Sequence, residues 1–130
     1  MQIRESAEMY LETILRLSEK GPVRSIDIAR EMGFSRPSVS VTIHNLADEH
    51  YVKIIDDGTI TLEEKGKEIA ERIYERHQVL SALLMRIGVP EEIAIEDACK
   101  MEHVISIESF DCIKEAIRKN EKMSDILSNI

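Results

Sequence analysis

A cysteine, a glutamate and a histidine stand at i, i+3 and i+4 in the run Asp97-Ala98-Cys99-Lys100-Met101-Glu102-His103. Read as a helix, this segment has an apolar stripe of Ala94, Ala98, Met101 and Ile105, and Cys99, Glu102 and His103 share the neighbouring arc. A thiolate, a carboxylate and an imidazole at that spacing can converge on one divalent cation. A plainer reading makes Cys99 a small buried filler and Glu102 and His103 a solvated edge. Two other segments weigh against it. Met9 and Glu12 lie on the arc of a first helix opposite Tyr10, Ile14 and Leu17, so a thioether and a carboxylate face away from that helix's core stripe. His77 continues the seam of Ile73 and Leu80 on a long helix, where an imidazole must be paired or ligating. Met9, Glu12, His77, Cys99, Glu102 and His103 are therefore candidate metal ligands on three helices that a compact bundle can bring together. Cys99 and His103 would also suit a nucleophile and base. No oxyanion site, Gly-rich loop or third orienting group accompanies them, so the chain reads as a non-enzyme.

The elements that must position these residues follow from periodicity and punctuation. Ser6 to Lys20 reads as a helix that Gly21-Pro22 ends. Ser25 caps a short helix over 26–32, and Gly33 breaks the chain. Ser35 caps a third helix from Arg36 to about Glu49, with Val39, Ile43 and Leu46 turned inward. A short helix, a glycine turn and a longer polar helix make a helix-turn-helix. Two β-branched stretches, Tyr51–Ile55 and Thr59–Leu62, flank Asp56-Asp57-Gly58 and read as a hairpin, the wing. Thr61 and Glu64 fit a capping box that opens a helix to Ile87, closed by Gly88 and Pro90. A fifth helix runs from about Glu91 to Val104 and a sixth, capped by Ser106, to Lys119.

An α-helix fits the major groove of DNA, and short polar side chains near its start can reach bases or phosphates. Ser35, Arg36, Pro37, Ser38, Ser40, Val41 and Thr42 suit that position: Pro37 and Val41 for thymine methyls, the hydroxyls for bases or phosphates, Arg36 for a phosphate. Arg24, in a locally basic stretch, and Lys53 on the wing join them. The net charge of −8 argues against a polyanion binder held by bulk charge. The sum hides a stretch from Lys20 to Arg36 with Lys20, Arg24, Arg30 and Arg36 against only Asp27 and Glu31. No apolar run spans a bilayer and the start lacks the basic head and apolar stretch of a secretory signal, so the expected location is cytoplasmic, with Cys99 and Cys112 reduced.

The segments Ala7-Glu8-Met9-Tyr10-Leu11-Glu12-Thr13-Ile14, Pro37-Ser38-Val39-Ser40, Thr61-Leu62 before Lys65-Gly66, Arg76-His77 and Ala98-Cys99-Lys100-Met101-Glu102-His103-Val104 together resemble the diphtheria toxin repressor family. The resemblance covers residues 1 to about 120. It implies a metal-activated transcriptional repressor that binds an operator in double-stranded DNA as a homodimer. The implied fold is mainly α. An N-terminal winged helix-turn-helix with a small β-hairpin wing, over 1–62, precedes a helical metal-binding and dimerisation domain over 63–130, with Met9 and Glu12 of the first helix contributing to the metal site. The short length matches the two-domain manganese transport regulator branch. Glu12, His77, Glu102 and His103 stand where that branch places ligands. Met9 and Cys99 replace its carboxylates and instead resemble the primary site of the iron-dependent branch. The ancillary site of the iron branch would fall partly on Ser81 and Ile95, and only His77 remains of it. The resemblance implies one site of Met9, Cys99, Glu102 and His103, with Glu12 and His77 either completing it or forming a second.

Thiolate and thioether favour Fe²⁺, Co²⁺, Ni²⁺ or Zn²⁺ over Mn²⁺, so the expected co-repressor is Fe²⁺. Binding requires deprotonated Cys99 and His103 and weakens in acid. The expected mechanism is a population shift: a dication joining the first and fifth helices fixes the half-site spacing for a palindrome. The alternative is a winged-helix regulator that senses Mn²⁺ or a non-metal ligand.

Overall fold

The first helix, α1 (Glu5–Ser18), carries Tyr10, Leu11 and Ile14 into the core, and Gly21 and Pro22 follow it. In the computed structural model, which describes residues 5–128 and 130, helices dominate and the only sheet among the described residues is a two-stranded hairpin. Two compact units divide between Arg72 and Ile73.

In the N-terminal unit, α2 (Ser25–Met32) begins one residue earlier than expected, with Arg24 as its N-cap. Ser25, expected as the cap, is the first helical residue instead, and the Asp27 carboxylate accepts the Arg24 amide at 2.9 Å. Gly33 closes the helix in the left-handed region at φ 72°, where a side chain would be strained. Ser35 caps α3 (Arg36–Asp48) as expected, its hydroxyl accepting the Ser38 amide at 3.3 Å. Strands β1 (Val52–Ile54) and β2 (Ile60–Leu62) pair antiparallel with Lys53 opposite Thr61. Val23, Ile28, Val39, Ile43, Tyr51, Val52 and Ile60 close the core with α1.

Helix α4 (Glu64–Arg86) starts in this unit and ends in the next. The expected Thr61 cap is not formed. Thr61 is committed to the hairpin, and the Glu63 carbonyl accepts the first helical bond, from Lys67 at 2.8 Å. In the C-terminal unit, α5 (Glu91–Met101), α6 (Ile107–Lys119) and the short α7 (Asp125–Ser128) pack with the end of α4 around Val79, Leu80, Ala98, Phe110, Ile117 and Ile126. Ser106 caps α6, accepting the Ser109 amide at 3.0 Å. Helix α5 stops at Met101, earlier than expected, because the chain must turn to deliver the extended backbone of that cap.

Candidate metal centre and nucleic-acid interface

Ala94 and Ala98 are fully buried on α5 and turn one face of that helix into the core. Glu102 caps that turn, with its amide bonded to the Ala98 carbonyl at 2.9 Å. Its side chain is wholly buried, and its Oε2 accepts from His77 Nδ1 at 2.8 Å. His103 Nε2 lies 3.4 Å from the other carboxylate oxygen, and its side chain is equally enclosed. His77, Cys99 and Glu102 each offer one ligand atom, all within 4.8 Å of one another. The His77 seam position thus received the partner that burial demands. Glu102 and His103 sit in the turn that follows α5 rather than on its helical face, as the spacing had suggested.

Burial alone would raise the Glu102 carboxyl, yet the His103 imidazole beside it, the hydrogen bond from His77 and the positive charge of both rings outweigh it and hold the group below its ordinary value. A carboxylate kept ionised inside a buried turn, a thiol and two imidazoles are donors of the kind that suit a divalent transition metal. Cys99 and Cys112 are both thiols rather than halves of a bridge. At the positions expected to miss an ancillary site, the Ser81 hydroxyl donates to the His77 carbonyl of its own helix at 2.7 Å, and Ile95 is exposed.

Met9 and Glu12 belong to the N-terminal unit. Met9 is half-buried, its carbonyl accepting the Thr13 hydroxyl at 2.8 Å, and Glu12 is 4% exposed. Sequence reasoning missed two further charged groups. Glu8 is buried on α1 and pairs with Arg72 at 3.4 Å. Arg76 is 7% exposed and donates to the main-chain carbonyls of Glu102 and Ile105. The signal for Arg76 was its place beside His77 on the seam.

On α3, Ser35, Arg36, Pro37, Ser38 and Val41 are exposed, and Ser40 and Thr42 are half-buried. Val41 is 63% exposed while its neighbours Val39 and Ile43 are fully buried, so a branched apolar side chain faces outward from the polar side of the helix. His44 and Asn45 share that exposed side, and His44 Nδ1 donates to the Ser40 carbonyl at 2.7 Å. Lys53 is exposed on β1. Arg24 is exposed and donates through Nε to the Asp57 carbonyl at 3.3 Å, tying the start of α2 to the wing.

A winged helix-turn-helix followed by a helical unit that gathers thiol, imidazole and carboxylate defines a metal-dependent DNA-binding regulator. Residues 2–59 match the family model described as the iron dependent repressor N-terminal DNA binding domain. Residues 63–125 match that of the iron dependent repressor metal binding and dimerisation domain. The transcriptional regulator MntR of Escherichia coli O6:H1 is 34% identical over 118 residues, covering 90% of this chain and 76% of that protein. The iron-dependent repressor IdeR of Mycobacterium tuberculosis is also 34% identical, over 81% of this chain but only 46% of its own length. Among solved structures, the manganese regulator SloR superposes with a TM-score of 0.77 at 25% identity, over 93% of this chain and 56% of that one. IdeR of T. acidophilum gives 0.71 at 28% identity, over 89% and 55%. The chain thus spans about half the length of these solved relatives. It belongs to the diphtheria toxin repressor family of metal-dependent transcriptional regulators, a family of repressors and not of enzymes. Among the described residues no helix is long and apolar enough to cross a membrane.

Proposed function

We propose that this protein is an Fe²⁺-responsive repressor of metal homeostasis that acts in the cytoplasm and binds a palindromic operator as a homodimer. The observation that carries the reading is the convergence of His77, Cys99 and Glu102 ligand atoms within 4.8 Å. A thiolate in that set disfavours Mn²⁺, which prefers carboxylate, carbonyl and water oxygen. His77, Cys99, Glu102 and His103 hold the ion, and Met9 and Glu12 complete the ligand set carried over from the family resemblance. When bound, the cation supplies positive charge and directional ligand bonds. Glu102 presents its carboxylate already ionised, and His77 and His103 hold it in place. Only the difference in operator affinity between metal-free and metal-bound populations drives repression. Arg24, Ser35, Arg36, Pro37, Ser38, Ser40, Val41, Thr42 and Lys53 form the DNA-contacting set, in a DNA-binding domain over 1–62 followed by a helical domain over 63–130.

The second reading is a Mn²⁺ sensor, favoured by the 34% identity to a protein named MntR. Anaerobic operator-binding titrations against each ion decide between them. Half-maximal binding is expected at lower free Fe²⁺ than free Mn²⁺. The reverse order overturns the iron assignment, and binding unaffected by chelator overturns metal activation altogether.

A further inference from the structure

Arg76 and His77 are consecutive on α4, and both reach Glu102. His77 holds the carboxylate. Arg76 Nη1 donates to the Glu102 carbonyl at 3.2 Å and to the Ile105 carbonyl at 2.8 Å, so one nitrogen spans both ends of the turn that carries Glu102 and His103. Arg76 is 7% exposed, and its guanidinium carbon lies 5.6 Å from the Phe110 ring centre. These carbonyls follow the C-terminus of α5, where main-chain acceptors lack helical donors and carry partial negative charge. A buried cation there completes hydrogen bonds that the helix cannot supply. Lys114 stands on the same ring at 5.6 Å and pairs with Glu75 at 2.6 Å, so α6 supports the residues on both sides of the contact.

We infer that Arg76 is a positioning residue for the metal centre: by bracing the carbonyls of residues 102 and 105 against Phe110 it fixes the turn that presents Glu102 and His103 beside His77 and Cys99. This deepens the proposed function and rests on it for the ligand assignment. A lysine keeps the charge but not the planar, multi-donor head that can sit on a ring while bonding two acceptors.

The test compares wild type with Arg76→Met, Arg76→Lys and Ile117→Val by anaerobic Co²⁺ titration, read through the thiolate-to-cobalt charge-transfer absorption. Amide hydrogen exchange is measured on the metal-free proteins. Both Arg76 variants are expected to bind Co²⁺ about 10- to 100-fold more weakly, the usual cost of losing a group that orients a ligand. Both should also exchange the Ile105 amide faster, which in wild type bonds to the Met101 carbonyl at 3.0 Å. Ile117→Val trims the same core away from the turn and should bind Co²⁺ as wild type does. Should Arg76→Met fail to fold, Arg76→Lys decides alone. Unchanged affinity and exchange in a folded Arg76 variant overturns the inference, as does an equal loss in Ile117→Val. A wild type without the charge-transfer band refutes Cys99 ligation instead, and the exchange result still decides the role of Arg76.

Discussion

Glu102 is the residue where burial and charge are most opposed, for its side chain has no exposed surface and yet stays ionised. An isolated carboxylate would neutralise in such a place. Two imidazoles prevent that, which makes the group ready to accept a cation without first losing a proton. On the proposed reading, Cys99 selects the cation. Its sulfur is the one soft anionic donor in the cluster of His77, Cys99 and Glu102, so its replacement by a hard donor of similar reach should move the preference. Cys99→Asp is expected to lower the free Mn²⁺ needed for operator binding and to raise the free Fe²⁺ needed. Paired anaerobic titrations check this, and an unchanged ratio between the two ions would place selectivity elsewhere. The spacing of Cys99 and Glu102 made their proximity legible from sequence, and the apolar seam showed that His77 needed a partner. The identity of that partner was not legible, because it lies 25 positions away and depends on how α5 ends. For Arg76 the sequence offered only its place beside His77 on the seam, because the carbonyls it serves lie 26 and 29 positions away.

Elements whose signals are local were readable almost to the residue. Ser35 and Ser106 cap their helices, Gly33 takes a positive φ, and Asp57 and Gly58 turn the wing, because each acts through neighbours within a few positions. Thr61 failed as a cap because the hairpin claimed it, a competition that only strand register reveals. Gly66 carries another constraint invisible in the sequence. A Cβ added there would fall 2.1 Å from the Tyr51 carbonyl oxygen, main-chain atoms that cannot swing aside. Gly66→Ala should therefore cost about 1–3 kcal/mol, despite alanine's better helix propensity, and denaturant unfolding measures it; a neutral or stabilising outcome would show that the wing and α4 yield freely. The short α7 is held by Arg86, which donates to both Asp125 carboxylate oxygens at 2.9 and 2.6 Å. Those bonds hold the Asp125 carboxyl below its ordinary value. A depressed carboxyl stabilises the fold above its unfolded-state pKa and loses that contribution as pH falls through the folded value. Asp125→Asn should be less stable than wild type at neutral pH, with the difference shrinking in acid; a gap independent of pH would mean that the charge plays no part.

Over the whole molecule the net charge of −8 opposes approach to DNA, so binding must rest on a small set of cations and on side chains that read base edges. On the proposed reading, α3 of the N-terminal unit supplies both kinds. Arg36 is exposed at its first turn, and the 63% exposure of Val41 keeps two methyl groups in water that a thymine methyl would cover. The two side chains should then fail differently when removed. Arg36→Gln is expected to weaken metal-activated binding to operator and to unrelated duplexes alike, and to reduce the slope of log affinity against log salt by about one. Val41→Ala should leave that slope unchanged and weaken binding mainly to sequences with a thymine at the contacted step, by about 1–3 kcal/mol at most. Fluorescence anisotropy across a salt series, with operator and scrambled duplexes at saturating metal, separates the two effects. If Val41→Ala changes the salt slope while Arg36→Gln changes only sequence preference, the assignment of positioning and reading roles on α3 is inverted. If neither variant alters binding, DNA is met by some other surface than this helix.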